Sequence, residues 1–170
     1  RIYLSGLLMG IFVYSGIFGI IDKMIEINNL TNFAVDKQSF LQVAKKVLLG
    51  ENRGTQTLSL AFVSKEEIKK LNKKFRKKNK ATDVLAFGEI SNFQFPISKK
   101  NLGEIVICPE VVKENAKKYK TAVRQEMMKV FIHGILHLLG YEHEKSKKEA
   151  EMMAEKEKKY LDNFKLGNCF

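Results

Sequence analysis

All three histidines of this 170-residue chain fall within the run H-G-I-L-H-L-L-G-Y-E-H, residues 133 to 143. Any imidazole chemistry belongs to this run. Residues four apart on a helix lie one above the other, which puts His133 and His137 on one face, where both can bind a single ion. Gly140 is where a helix would end on a left-handed residue, and the turning chain can bring His143 back as a third ligand. Three neutral imidazoles leave a tetrahedral zinc ion one open position, the arrangement of a catalytic site. Ordinary hydrogen-bonded helical histidines would account for the first pair, but not for a third histidine placed after a glycine break.

The spacing follows the metzincin pattern H-E-x-x-H-x-x-G-x-x-H, glycine included. The second position departs from it. A metallopeptidase carries its general base there as glutamate, whereas this chain has Gly134, so the ion site is kept and the peptidase base is gone. A metal hydrolase of another kind is expected. A metallopeptidase-like hydrolase drawing its base from elsewhere stays as a rival, and so does a non-catalytic assembly factor in which zinc only braces the loop after Gly140.

The run resembles the YbeY endoribonucleases, a family of ribosomal RNA maturation factors with a signature close to H-G-x-L-H-L-x-G-Y-D-H; Glu142 here replaces the aspartate. Residues 76 to 88 resemble a second family block, R-x-x-x-x-x-T-D-V-L-S-F-P, with Ala86 and Gly88 in place of serine and proline. Leu102, Gly103, Glu104 and Ile105 resemble its L-G-D-I, again with a longer acid. The resemblance spans about residues 24 to 164. It implies a zinc-dependent, single-strand-specific endoribonuclease with one Zn2+ per chain. It further implies action in the cytoplasm on the 3' end of small-subunit (16S) ribosomal RNA, in ribosome quality control, with ribosomal proteins as further partners.

Charge supports an anionic partner independently. Thirty Lys and Arg against nineteen Asp and Glu give +11, which suits nucleic acid or an anionic membrane surface. Eight of the twelve residues from 69 to 80 are basic and none is acidic: Lys69, Lys70, Lys73, Lys74, Arg76, Lys77, Lys78 and Lys80. A merely solvated helix face would mix signs to gain pairing, so the lysines are read as RNA phosphate contacts. Arg76, whose planar fork matches a phosphate, is the candidate to stabilise charge growing on the scissile group; a structural ion pair with Glu104 or Asp83 is its other reading. Glu142 can orient an imidazole or move a proton, although its extra methylene displaces the carboxylate by about 1.5 Å from an aspartate's position. Cys108 and Cys169, neither in a C-x-x-C motif, suggest no disulfide framework and hence a reducing compartment.

The positioning elements follow from periodicity and caps. With 45% apolar residues the chain can build a core of its own. The family resemblance implies a first strand beginning at Met24, while Asp36 caps a helix with Phe40, Leu41, Ala44, Val47 and Leu48 on one stripe, ending by Gly50 to Gly54. Leu58, Leu60 and Phe62 alternate as a strand with one buried face. Ser64 and Glu67 form a capping box for a helix with Ile68, Leu71 and Phe75 inward. Runs at Val84 to Phe87 and Ile105 to Cys108 predict two paired strands across a loop containing Pro96. Pro109 opens a helix to about Tyr119, residues 122 to 139 form the histidine helix, and Ser146 with Glu149 caps a last helix with Ala150, Met153, Tyr160, Leu161 and Phe164 inward. The expected class is α+β: a mixed sheet of about four strands packed with helices, the histidine helix central.

Residues 2–21 carry no charge, and at ~1.5 Å per residue a helix there would cross a ~30 Å hydrocarbon core. Gly6 and Gly10 add a spacing used between membrane helices. The segment is read either as a membrane anchor or as an extension upstream of the functional protein. The expected organisation is a hydrophobic segment at 1–23, an endoribonuclease domain at 24–164 and a short tail at 165–170.

Overall fold

A computed structural model describes residues 24–88, 101–143 and 146–166. The hydrophobic segment at residues 2–21, the loop with Pro96, and Cys169 lie outside them. No helix among the described residues is long and apolar enough to cross a membrane.

Four strands form one mixed sheet in the order β1-β2-β4-β3: β1 (Ile25–Asn29), β2 (Thr57–Phe62), β3 (Val84–Gly88) and β4 (Asn101–Ile107). β1 and β4 both run parallel to β2, while β3 is antiparallel to β4, with Leu85 opposite Val106 and Phe87 opposite Glu104. Parallel neighbours need long crossovers. Helix α1 (Lys37–Gly50) connects β1 to β2, and α2 (Lys65–Arg76) followed by β3 lies between β2 and β4. α3 (Pro109–Tyr119), α4 (Val123–Leu138) and α5 (Lys147–Leu166) complete the described chain.

The caps act where the sequence places them. The Asp36 carboxylate accepts from the Ser39 N–H at 3.3 Å, the Ser64 hydroxyl from Glu67 N–H at 3.2 Å and the Ser146 hydroxyl from Glu149 N–H at 3.2 Å. Each satisfies a donor that the first helical turn leaves open.

One sheet face buries Leu58, Leu60, Phe62, Ile105 and Ile107 under residues of α1, α4 and α5. Phe40 joins the layers by meeting Phe62 and Phe131 edge-on, with ring centroids 5.2 and 5.0 Å apart. The opposite face buries Ala61, Val63, Leu85, Val106 and Cys108 against Ile68 and Leu71 of α2. β2 keeps its alternation at Thr57 and Ser59, which are half-buried, but its C-terminal end is covered on both faces, not on the single face the alternation suggests. Ala61 is small but still part of a core, because α2 covers that side.

Phe75 is the second correction. Helical spacing from Leu71 predicts it inward, yet it is 47% exposed, and Asn72 is the residue that turns in. The Asn72 amide donates to the Lys80 carbonyl at 2.7 Å, while the Asn72 backbone carbonyl accepts from the N–H groups of Lys77 and Lys78. Lys77 takes a left-handed conformation, φ 60°, to close this turn. The chain after α2 occupies the space beneath the last helical turn, and Phe75 is left outside.

Candidate metal centre

α4 is buried along most of its length, with Met127, Met128, Val130, Phe131, Ile132, Ile135 and Leu136 all in the core. Its remaining stripe carries His133 and His137, whose Nε2 atoms lie 3.0 Å apart. The helix ends at Gly140, φ 92°: Tyr141 N–H donates to the Leu136 carbonyl and Gly140 N–H to that of His137, each at 3.0 Å. These paired bonds satisfy the last carbonyls and reverse the chain, which a left-handed glycine permits without a Cβ clash. The reversal carries His143 back toward the pair, with ring centroids 5.2 Å from His133 and 5.1 Å from His137.

One ligand atom from each of the three histidines lies within 4.8 Å of the other two. A tetrahedral ion with metal–nitrogen bonds of about 2.0–2.1 Å separates its nitrogens by roughly 3.3 Å, so the donor set fits a metal after a small inward movement of the exposed His143 side chain. Burial first, then the neighbouring His133, push the His137 pKa below its ordinary value. That favours the neutral imidazole, the form that ligates.

Two acidic residues outside the histidine run organise the site. Glu157 of α5 sits 2.6 Å from His133 Nδ1. A carboxylate can only accept, so Nδ1 carries the proton and Nε2 keeps its lone pair toward the other histidines, as in carboxylate–histidine–metal arrangements. Glu51, just past α1, has only 9% of its side chain exposed. It accepts hydrogen bonds from Tyr141 at 2.6 Å, from Lys156 at 2.8 Å and from Tyr160. Tyr141 is two residues from His143, so this carboxylate ties the ligand-bearing loop to α1 and α5 together. Sequence reasoning missed both residues; the local signal for Glu157 is only an acid one turn from Met153 and Tyr160, on a helix with many acids.

Gly134 has a structural reason independent of chemistry. A Cβ built there would lie 3.0 Å from Ile105 Cγ2 and 3.2 Å from Cδ1, so the missing side chain is what lets α4 approach β4. The position that holds a base in the metzincin pattern faces the sheet here, and a glutamate would enter the core.

The other candidates are placed as follows. Glu142 is half-buried, its charge reaches His137, and it borders a hollow with Glu51, Arg53 and Met152. Lys69, Lys70, Lys73 and Lys74 on α2 and Lys77, Lys78 and Lys80 in the turn after it are all exposed. Arg76 is the exposed last residue of α2. A cleft of about 250 Å³ opens beside His133 and Glu157, bounded by Asp83, Asn115, Tyr119 and Lys129; Arg76 is not among the described residues that line it. The basic turn nevertheless runs into it, since Asp83 follows Lys80 by three residues.

The two acids weighed as partners of Arg76 have other surroundings. The Asp83 carboxylate accepts from Asn115 at 3.1 Å and from Val84 N–H at 2.9 Å, acting as a strand-start cap. Burial first, then the nearby charge of Glu26, push the Glu104 carboxyl upward.

A family model described as Endoribonuclease YbeY matches residues 25–165. Relatives carrying that name include one from Thermotoga neapolitana, 44% identical over 109 residues, covering 64% of this chain and 68% of the relative. Another, from Aliarcobacter butzleri, is 37% identical over 143 residues, covering 84% of this chain and 94% of the relative. The solution structure of TM1509 from Thermotoga maritima superimposes with a TM-score of 0.58 at 33% identity, covering 83% of this chain and 89% of that one.

Proposed function

The chain belongs to the endoribonuclease YbeY family, and we propose that it hydrolyses phosphodiester bonds of single-stranded RNA with a zinc ion held by His133, His137 and His143. The observation that carries this reading is the convergence of the three imidazoles at the end of α4, with Glu157 fixing the tautomer of His133. When bound, zinc supplies Lewis acidity that brings the pKa of water from about 15.7 toward ~7, so that a nucleophile is available at neutral pH.

The chain's own groups have separate tasks. Glu157 accepts from His133 Nδ1 and burial favours the neutral form of His137, which leaves both lone pairs for the ion. Lys69, Lys70, Lys73, Lys74, Lys77, Lys78 and Lys80 hold the phosphate backbone along an acid-free stretch. Arg76 offers a bidentate fork to charge that develops on the non-bridging oxygens. Glu142, beside the third ligand, steers an imidazole or shuttles a proton. The substrate is ribosomal RNA of the small subunit, in the maturation of its 3' end, with the endoribonuclease unit at residues 24–164 acting in the cytoplasm.

The test compares the zinc-loaded chain and its His137→Ala variant on unstructured RNA and on casein. RNA cleavage by the parent, no casein cleavage, and loss of both zinc and RNA cleavage in the variant are expected, because two remaining ligands hold the ion poorly. Full zinc stoichiometry in His137→Ala, or casein cleavage by the parent, overturns the assignment.

A further inference from the structure

Phe75 is an apolar ring held in solvent inside the most basic stretch of the chain, and its surroundings are built. It is 47% exposed and contacts Phe87 of β3, an edge strand, with ring centroids 5.1 Å apart and planes at 66°. Lys74 Nζ lies 5.3 Å from the Phe75 centroid. The exposed Lys73, Lys74, Lys77 and Lys78 surround it in sequence, and among the described residues none of the four meets a carboxylate. The turn that carries Lys77 and Lys78 is itself pinned by Asn72.

Single exposed apolar residues are common on proteins and by themselves mean nothing. The combination here is specific. An aromatic ring whose orientation is set by a second ring loses little conformational freedom on accepting a stacked partner, and the cations beside it favour a partner that carries phosphates. Unpaired nucleobases in a single strand have both properties, and aromatic rings interleaved with basic residues are how single strands are held without reading sequence.

We infer that Phe75 is a stacking platform for one unpaired nucleobase of an RNA strand whose phosphates are held by Lys73, Lys74, Lys77 and Lys78. This rests on the reading of the chain as an RNA-cleaving protein and adds to it a base-dependent contact that lysines alone cannot supply. It also gives a physical basis for single-strand preference, because a base paired within a duplex has no free face to offer. The strand would leave Phe75 along residues 76 to 83, toward the cleft that Asp83 shares with His133.

The chain contains no tryptophan, so Phe75→Trp introduces a sole indole reporter that keeps the stacking face. The full chain, Phe75→Trp and Phe75→Leu are titrated with a short oligoadenylate and with an abasic ribose-phosphate oligomer of equal length. Oligoadenylate should quench the indole emission of the Phe75→Trp variant and the abasic chain should not. Phe75→Leu should lose about 5- to 140-fold in affinity for oligoadenylate, the equivalent of ~1–3 kcal/mol per stacked base, and none for the abasic chain. Phe75→Trp should melt with the parent and Phe75→Leu slightly below it, since about half of the side chain is exposed and the ring contact with Phe87 is what leucine loses.

Equal oligoadenylate affinity in the parent and Phe75→Leu, or equal quenching by both oligomers, overturns the stacking site while leaving the RNA reading in place. A parent chain that binds neither oligomer overturns both.

Discussion

Glu51→Gln tests whether one buried carboxylate holds the ligand loop in place. The substitution keeps the side-chain shape and removes the charge that accepts from Tyr141, Lys156 and Tyr160. A hydrogen bond to a charged group contributes about 1.5–3 kcal/mol net. The glutamine oxygen retains part of this at neutral strength, while its amide turns a donor toward donors. Lys156, with 30% of its side chain exposed, recovers some hydration. The expected loss is roughly 2–4 kcal/mol, which for a chain of this size lowers the melting temperature by about 5–15 °C.

The effect should depend on pH in a defined direction. Burial pushes the Glu51 carboxyl up, but the hydrogen bonds from Lys156, Tyr141 and Tyr160 together outweigh it and hold the pKa below its ordinary 4.5. A carboxyl depressed in the folded state adds stability that is fully present above the unfolded value and is lost as pH falls through the folded one. The gap between parent and variant should therefore be complete above pH 4.5 and shrink below it. Zinc affinity, measured by chelator competition, should fall too, since Tyr141 is tied to Glu51 and leads to His143. Melting curves within about 2 °C of each other at neutral pH, or a gap that does not shrink in acid, would refute the role given to Glu51.

Glu157→Gln should cost about 10- to 100-fold in zinc affinity with little change in melting of the metal-free chain, because it removes the group that orients His133; unchanged competition against a chelator would contradict this. Gly134→Glu should destabilise by at least ~3 kcal/mol in urea unfolding, since the new side chain must displace Ile105 and bury a carboxylate, and it should not create protease activity. Replacing Lys73, Lys74, Lys77 and Lys78 together should flatten the salt dependence of RNA binding by about 0.7 log-log units per lost contact and spare turnover at saturation. Arg76→Ala should instead lower the maximal single-turnover rate far more than binding, with little rescue by Arg76→Lys. Normal cleavage at saturation by Arg76→Ala would make it another backbone contact.

The sequence alone determined whatever depends on neighbours within about four residues. Asp36, Ser64 and Ser146 cap helices because a side chain reaches only the next turn, and His133, His137 and Gly140 point to a candidate metal site because helical rise and a left-handed stop are local geometry. The family signature lies in the same short runs. What the tertiary structure decided are pairings between segments that no local pattern specifies. Glu157 meets His133 from 24 residues away and Glu51 meets Tyr141 from 90, each because α5 or the end of α1 packs on α4. Phe75 has the spacing of a core residue and is outside, because the chain after α2 folds back onto Asn72 and occupies the space below. Gly134 reads from sequence as a missing base, and only the close approach of Ile105 shows that a side chain there would crowd the sheet, with even a Cβ forcing Ile105 to give way.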